Sequence, residues 1–256
     1  MTNTTLLALL HRDLLVARRE LGTFILRVAL QPLLFTFIFG FVMPRQGLVV
    51  QNYTNMLLPG ILALSMTLSG LQAVAMPLVI EFGFTKEIED RLLAPIGISG
   101  VALEKIFVGM IQAIIAGLFV LPLAWLLIGR GLDLQQTNFV LLILVSLLTS
   151  WLFAAFGLLI GSIADSQQVG LMLNVLLGPM IFFGCTYYPW AGLSAVPWFQ
   201  IAVLINPLVY ASEGFRAALT PDLPHMPLWL ILGALVGYSL FLTWAGLRFF
   251  RRRAVD

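Results

Sequence analysis

The chain has 256 residues, of which 60% are hydrophobic and 10% charged, with a mean hydropathy of +1.00. Soluble domains carry about 25% charged residues, so this composition excludes a water-soluble globular protein and describes an integral membrane protein with one compact membrane domain. A net charge of +2 leaves no electrostatic footprint for nucleic acid, and a single cysteine, Cys185, excludes both an internal disulfide framework and a cysteine-based metal cluster.

Residues 1–22 form the first predicted element. Leu7, Leu10, Leu14, Ala17 and Leu21 share one helical stripe, while Arg12 and Arg19, His11 and Arg18, and Asp13 and Glu20 recur at seven-residue spacing on the polar side. That pattern predicts an amphipathic helix lying in the membrane interface. Charges interrupt the apolar run and no small-residue cleavage site follows, so the segment does not read as a signal peptide.

Residues 23–256 form the membrane domain. A helix needs about 20 mostly apolar residues to cross the hydrocarbon core, and such runs occur near 24–43, 56–80, 106–128, 139–163, 169–188 and 228–247. None alternates with the period of two that barrel strands require. The expected fold class is therefore all-α, with six transmembrane helices.

Between the second and third runs the chain changes character. Glu81, Lys86, Glu87, Glu89, Asp90 and Arg91 crowd into one short stretch, which reads as a wet connector and as the surface on which this protein meets a partner in water. If helical, Lys86 with Asp90 and Glu87 with Arg91 are i,i+4 pairs worth about 0.2–0.5 kcal/mol each. A solvated connector with no partner is the plain alternative.

Positive charge orients the chain. Arg12, Arg18 and Arg19, then Lys86, Arg91 and Lys105, and finally Arg248, Arg251, Arg252 and Arg253 fall on one side, against Arg45, Arg130 and Arg216 on the other. The positive-inside rule then puts both termini and the connector in the cytoplasm, which requires an even number of crossings. Between Asp165 and Glu213 no residue is charged. Two crossings there would reverse the tail, so the segment reads as one crossing followed by a hairpin that dips in and returns. Pro179, Pro189, Pro197 and Pro207 break a continuous helix, and Tyr187, Tyr188, Trp190 and Trp198 suit an interfacial belt. A seventh crossing is the alternative.

Several chemistries are missing. The middle spans carry no buried charge pair or ionisable group to mark an ion pathway, which disfavours an ion-driven carrier. Gly97-Ile98-Ser99-Gly100 resembles the serine motif of rhomboid proteases, but His11 and His225 lie outside the spans and Lys105 sits at the cytoplasmic edge, so Ser99 has no evident base. No P-loop pattern precedes a lysine, so energy for active transport must come from another polypeptide. The rival readings are a nucleotide-independent carrier or channel and, further off, a serine hydrolase at Ser99.

The run Lys86-Glu87-Ile88-Glu89-Asp90-Arg91 followed by Leu93-Ala94-Pro95, together with Phe183-Gly184, Tyr188-Pro189, Pro197-Trp198, Asn206-Pro207 and Arg216, resembles the ABC-2 type transporter permeases. The likeness covers essentially the whole chain. It implies a six-span permease in the cytoplasmic (inner) membrane of a prokaryote that pairs with a second permease chain, identical or related, and with two ABC ATPase subunits. ATP and Mg would sit on the ATPase, leaving this chain without a cofactor, a metal or an enzymatic activity.

By the same resemblance, Glu81 to Arg91 becomes the coupling helix and residues 1–22, with Arg12, Arg18 and Arg19, an interfacial helix beside it. The segment from Gly184 through Tyr188, Pro189, Pro197, Asn206 and Pro207 toward Arg216 becomes a re-entrant outer hairpin. Gln31, Gln72 and Asn174 become candidate linings of a path for drug-like, lipid-linked, polysaccharide or other amphipathic cargo. Ordinary interhelical hydrogen bonding is the alternative role for these three amides.

Overall fold

The computed structural model describes residues 34, 37–38, 42–46, 53–85, 88, 97–128, 136–165 and 169–255. The predicted helix of residues 1–22, with Arg12, Arg18 and Arg19, lies outside the described residues. So do Gln31 and the connector residues Lys86, Glu87, Glu89, Asp90 and Arg91, and of the first predicted span only Leu34, Phe37, Ile38, Val42 and Met43 are described.

All regular structure among the described residues is helical. Helix α1 spans Tyr53–Ile80 and runs on into a π-helical turn, Glu81–Thr85. It is followed by α2 (Ile98–Ile128), α3 (Phe139–Ile163), α4 (Val169–Phe182), α5 (Pro197–Ala202), α6 (Pro207–Leu219) and α7 (Leu228–Val255). Among the described residues four stretches are long and apolar enough to cross a membrane: Met56–Thr85, Ile98–Pro122, Phe139–Ile163 and Leu228–Val255.

Local chemistry accounts for the helix ends. Asn138 caps α3 by accepting from the Leu141 amide at 3.1 Å, and its own amide donates to Ala218 O at 2.9 Å, tying the start of α3 to the end of α6. Asn206 caps α6 through the Leu208 amide at 3.0 Å. Pro207 follows at the first helical position, where its missing N–H costs nothing and its fixed φ suits the helix.

The hydropathy boundaries of α3 match its ends, α1 begins three residues early at Tyr53, and three others move further. Helix α2 begins at Ile98, eight residues before the expected start at Ile106, because Glu104 and Lys105 are buried within the helix and do not end it. Helix α4 stops at Phe182 where the apolar run predicted Tyr188. At Gly184 an added Cβ would meet Leu208 Cδ2 at 2.6 Å and Met180 O at 2.7 Å, and Cys185 then takes a left-handed φ of 51°, which turns the chain off the helix axis. Helix α7 continues past Leu247 through the arginine-rich tail.

The bundle is organised around α1 and α3. Helix α1 packs against α2, α3 and α6, while α3 also meets α2, α6 and α7. Small residues permit the close approach: a Cβ on Gly157 of α3 would lie 2.5 Å from Leu71 O of α1, and one on Gly161 would lie 3.1 Å from Ala75 O. Gly109 of α2 abuts Val74 of α1 and Ala154 of α3. Such small-residue seams are how helices associate where no hydrophobic force distinguishes protein from lipid. Trp151 of α3 adds a polar link, donating from Nε1 to Thr243 Oγ1 of α7 at 3.0 Å.

These contacts also fix direction. Gly157 and Gly161 meet Leu71 and Ala75 in ascending order, so α3 runs parallel to α1; Gly109 meets Val74 and Gly117 meets Met66, so α2 runs antiparallel. Gly246 of α7 lies against Ala155 and Leu158, and Arg253 reaches Gly161 and Ala164, so α7 parallels α3. The tail, the end of α1 and the start of α2 therefore share one end of the bundle. Gly60, Thr186, Val145, Gly214 and Ile231 gather at the other.

Overpacking a tight core costs about 1–3 kcal/mol. Gly157→Ala is accordingly expected to lower the melting temperature of the detergent-solubilised protein. Gly233→Ala on exposed α7, where an added Cβ meets nothing within 4 Å, should leave it unchanged or slightly raised. Paired thermal unfolding curves check both.

Candidate functional site

Among the described residues two charge pairs are buried, both away from the middle of the spans, one at each end of the bundle: Glu81 with Lys105 and Glu213 with Arg216. Proximity to a predicted span end is a poor guide to solvent exposure, because neighbouring helices extend past those ends and enclose the side chains.

At the connector end, Lys105 Nζ of α2 donates to Glu81 Oε1 at 2.6 Å. Glu81 is 8% exposed, so it does not belong to the wet connector surface expected of it; it closes α1 against α2. The next residue, Phe82, is held from α7. Its ring meets Phe250 edge-on with centroids 5.6 Å apart, and the Arg253 guanidinium lies 4.7 Å from its centroid. Arg253 Nη1 also donates to Gly161 O at 3.0 Å and Ala164 O at 2.7 Å, satisfying carbonyls at the end of α3 that have no partner within the helix. Four helices thus converge on the turn Glu81–Thr85, immediately before the charged run.

The opposite end is built around α6, whose residues Leu208 to Leu219 are all buried. Glu213 and Arg216 form a fully buried ion pair through Oε1 and Nη1. Glu213 Oε1 also accepts from the Trp190 amide at 2.9 Å, and Oε2 from the Met226 amide at 2.8 Å. Arg216 Nη2 donates to Cys185 O at 3.1 Å and Tyr188 O at 3.5 Å. One pair of side chains therefore satisfies backbone groups on both sides of α6.

More bonds close the segment from 183 to 206. Trp190 and Gln200 exchange hydrogen bonds, Trp190 Nε1 to Gln200 O at 3.0 Å and Gln200 Nε2 to Trp190 O at 3.2 Å. Asn206 Nδ2 donates to Met180 O at 2.8 Å. The segment is seated on α1 at Gly60, where any Cβ would collide with the Thr186 carbonyl. Beside it lies an apolar groove of about 550 Å3, lined among others by Phe156, Leu176, Met180, Phe183, Phe199 and Val203.

The sequence-predicted residues distribute unevenly over this geometry. Gly184, Tyr188, Pro189, Asn206, Pro207 and Arg216 come together at the end of the bundle opposite the connector, with Pro197 exposed at the start of α5. Gln72 is half-buried on α1 and Asn174 exposed on α4; neither is brought to the other by a hydrogen bond. Ser99 is half-buried near the start of α2. Lys105, six positions on, lies about 120° away around the helix and is engaged with Glu81, which leaves Ser99 without a base from that residue. The sequence reading missed Phe82, Phe250 and Arg253 as partners and Glu213 as a hub. For Glu213 the i,i+3 spacing to Arg216 was the available signal.

Residues 4–220 of the chain match the ABC-2 type transporter family. The chain belongs to that family. Among curated proteins no relative matches it. Membership agrees with apolar helices long enough to span a membrane and makes the chain a membrane transport subunit, of a kind that normally works with ABC ATPase partners.

Breaking a buried pair by removing one partner costs about 3–5 kcal/mol, because the other charge stays buried and uncompensated. Arg216→Met should therefore destabilise this permease severely, and Glu213→Gln/Arg216→Met should recover much of the loss. Thermal unfolding of both variants and of Glu213→Gln alone, analysed as a double-mutant cycle, measures the coupling.

Proposed function

We propose that this chain is the permease subunit of an ATP-driven ABC-2 exporter, and that two copies, or this chain and a related one, assemble with two ATPase subunits. The observation that carries the reading is the family match over residues 4–220, joined to an architecture in which α1 leads through Glu81–Thr85 directly into the charged run. In this reading Lys86, Glu87, Glu89, Asp90 and Arg91 form the coupling helix seated on the ATPase, with Glu81 anchoring its near end. Arg12, Arg18 and Arg19 belong to an interfacial helix alongside.

The membrane arrangement follows from the same proposal. Six spans cross the inner membrane of a prokaryote, with both termini cytoplasmic. The parallel course of α1, α3 and α7, and the gathering of Lys105, Arg253 and the connector at one end, support that orientation under the positive-inside rule. The segment from Gly184 to Asn206 is a re-entrant outer hairpin: α6, which follows it, has 13 residues, too few for a full crossing at ~1.5 Å per residue.

ATP binding draws the ATPases together, the coupling helices follow, and the bundles shift between two arrangements. ATP can drive that shift only through differential affinity for the two states, so its effect must pass through the connector. Cargo would be amphipathic, lipid-linked, polysaccharide or drug-like, on a path that Gln31, Gln72 and Asn174 help to line. The buried Glu213 favours structure over ion coupling, since both its oxygens are engaged by backbone amides and Arg216.

A tagged permease purified in mild detergent is expected to bring down a P-loop ATPase. In that complex Glu87→Lys/Glu89→Lys should leave the permease folded while hydrolysis no longer drives export. Repeated purification without an ATPase, or a charge-reversed permease that exports normally, refutes the proposal.

A further inference from the structure

We propose that the turn Glu81–Thr85 is a rigid joint that fastens the charged connector to the helix bundle, with Lys105, Phe250 and Arg253 as its positioning residues. The role in transmission rests on the coupling function proposed above, whereas the rigidity is a property of this chain alone. A helix leading out of a membrane domain into a wet segment would ordinarily fray within its last turn. Here the last turn is buried at Glu81 and held from two directions.

Lys105 ties it to α2 through a 2.6 Å ion pair. From the other side, Phe250 and Arg253 of α7 clasp Phe82. Arg253 also holds the end of α3 through Gly161 O and Ala164 O. A displacement entering at residue 86 therefore meets α1, α2, α3 and α7 at once and cannot be absorbed by bending of the α1 end.

The π-helical form of the turn bears on the same point. A π turn widens the helix by one residue and re-aims the side chains that follow, and such turns are concentrated at functional sites. Glu81 and Phe82 are adjacent, about 100° apart around a helix, which lets one face α2 while the other faces α7. With Glu81 and Lys105 both uncharged, the α2 fastening is lost without leaving a buried charge behind. With Arg253 shortened to methionine, the α7 and α3 fastenings are lost together.

The test is a spin-label distance between Phe84→Cys, exposed within the turn, and Val140→Cys, exposed near the start of α3, in a chain whose native Cys185 is buried and out of reach of the label. The full-length labelled permease in lipid nanodiscs is expected to give one narrow distance peak. Glu81→Gln/Lys105→Met combined with Arg253→Met should lose that peak to a broad distribution, while Arg251→Met, at an exposed site on α7, should keep it. Glu81→Gln/Lys105→Met alone is the milder variant should the triple one unfold, with melting temperatures recorded for all.

In the co-purified ATPase complex the wild-type peak should stay in place when ATP is added, because the turn and the bundle move as one. A narrow peak in the folded joint variants, or a wild-type peak that shifts or broadens with ATP, overturns the joint. Failure of any ATPase to co-purify counts against the coupling function and not against the joint, which the nanodisc measurement decides by itself.

Discussion

A polar group taken out of water must find its partner inside the protein, and the shape of this molecule follows from where that requirement is hardest to meet. Helices satisfy their own backbones; the segment from 183 to 206, broken into short turns, does not. Its amides and carbonyls are served by Glu213, Arg216 and Gln200, and Asn206 ties its far end to Met180 O of α4. The ion pair is best understood as backbone hydrogen bonding carried out by side chains. Charge makes each of these bonds stronger than a neutral one, and the two charges make each other tolerable in a buried site.

The same requirement operates at the other end with different residues. The last carbonyls of α3 have no intrahelical donor, and Arg253 supplies one from α7. Between these two ends runs α1, from Gly60 under Thr186 to Glu81 beside Lys105. At ~1.5 Å per residue those points are about 30 Å apart, close to the thickness of a hydrocarbon core. A single continuous helix therefore joins the seat of the segment from 183 to 206 to the turn that precedes the connector. Its small-residue contacts with α2 and α3 leave little room for it to move independently of them.

Much of the fold is legible in the sequence. The apolar run at 139–163 is α3 to the residue, with Asn138 as its visible cap, and Asn206-Pro207 spells a helix start that α6 uses. What is not legible is tertiary. Glu81 and Lys105 are 24 positions apart, and nothing local marks them as partners, so hydropathy assigned both to a wet connector. Arg253 reads as one of several tail arginines whose count orients the chain, yet it reaches the end of α3. Glu213 and Arg216 have the spacing of a helical pair, but spacing carries no information about burial. Hydropathy also could not end α4 at Phe182, since the run from Phe183 to Tyr188 carries no charge and the chain leaves the helix axis at Cys185 through a left-handed φ.

Helix α4 stands apart from this tightly fastened set. Its buried residues Leu173, Leu177, Met180 and Ile181 lie on one stripe, while Leu171, Val175 and Phe182 are exposed on another. Among the described helices it meets α1 most, and that only lightly, and the apolar groove separates part of it from Phe156 of α3. Among the described residues, glycine seams and buried charges thus concentrate the tight packing in α1, α2, α3, α6 and α7, and the looser packing lies beside α4 along the groove.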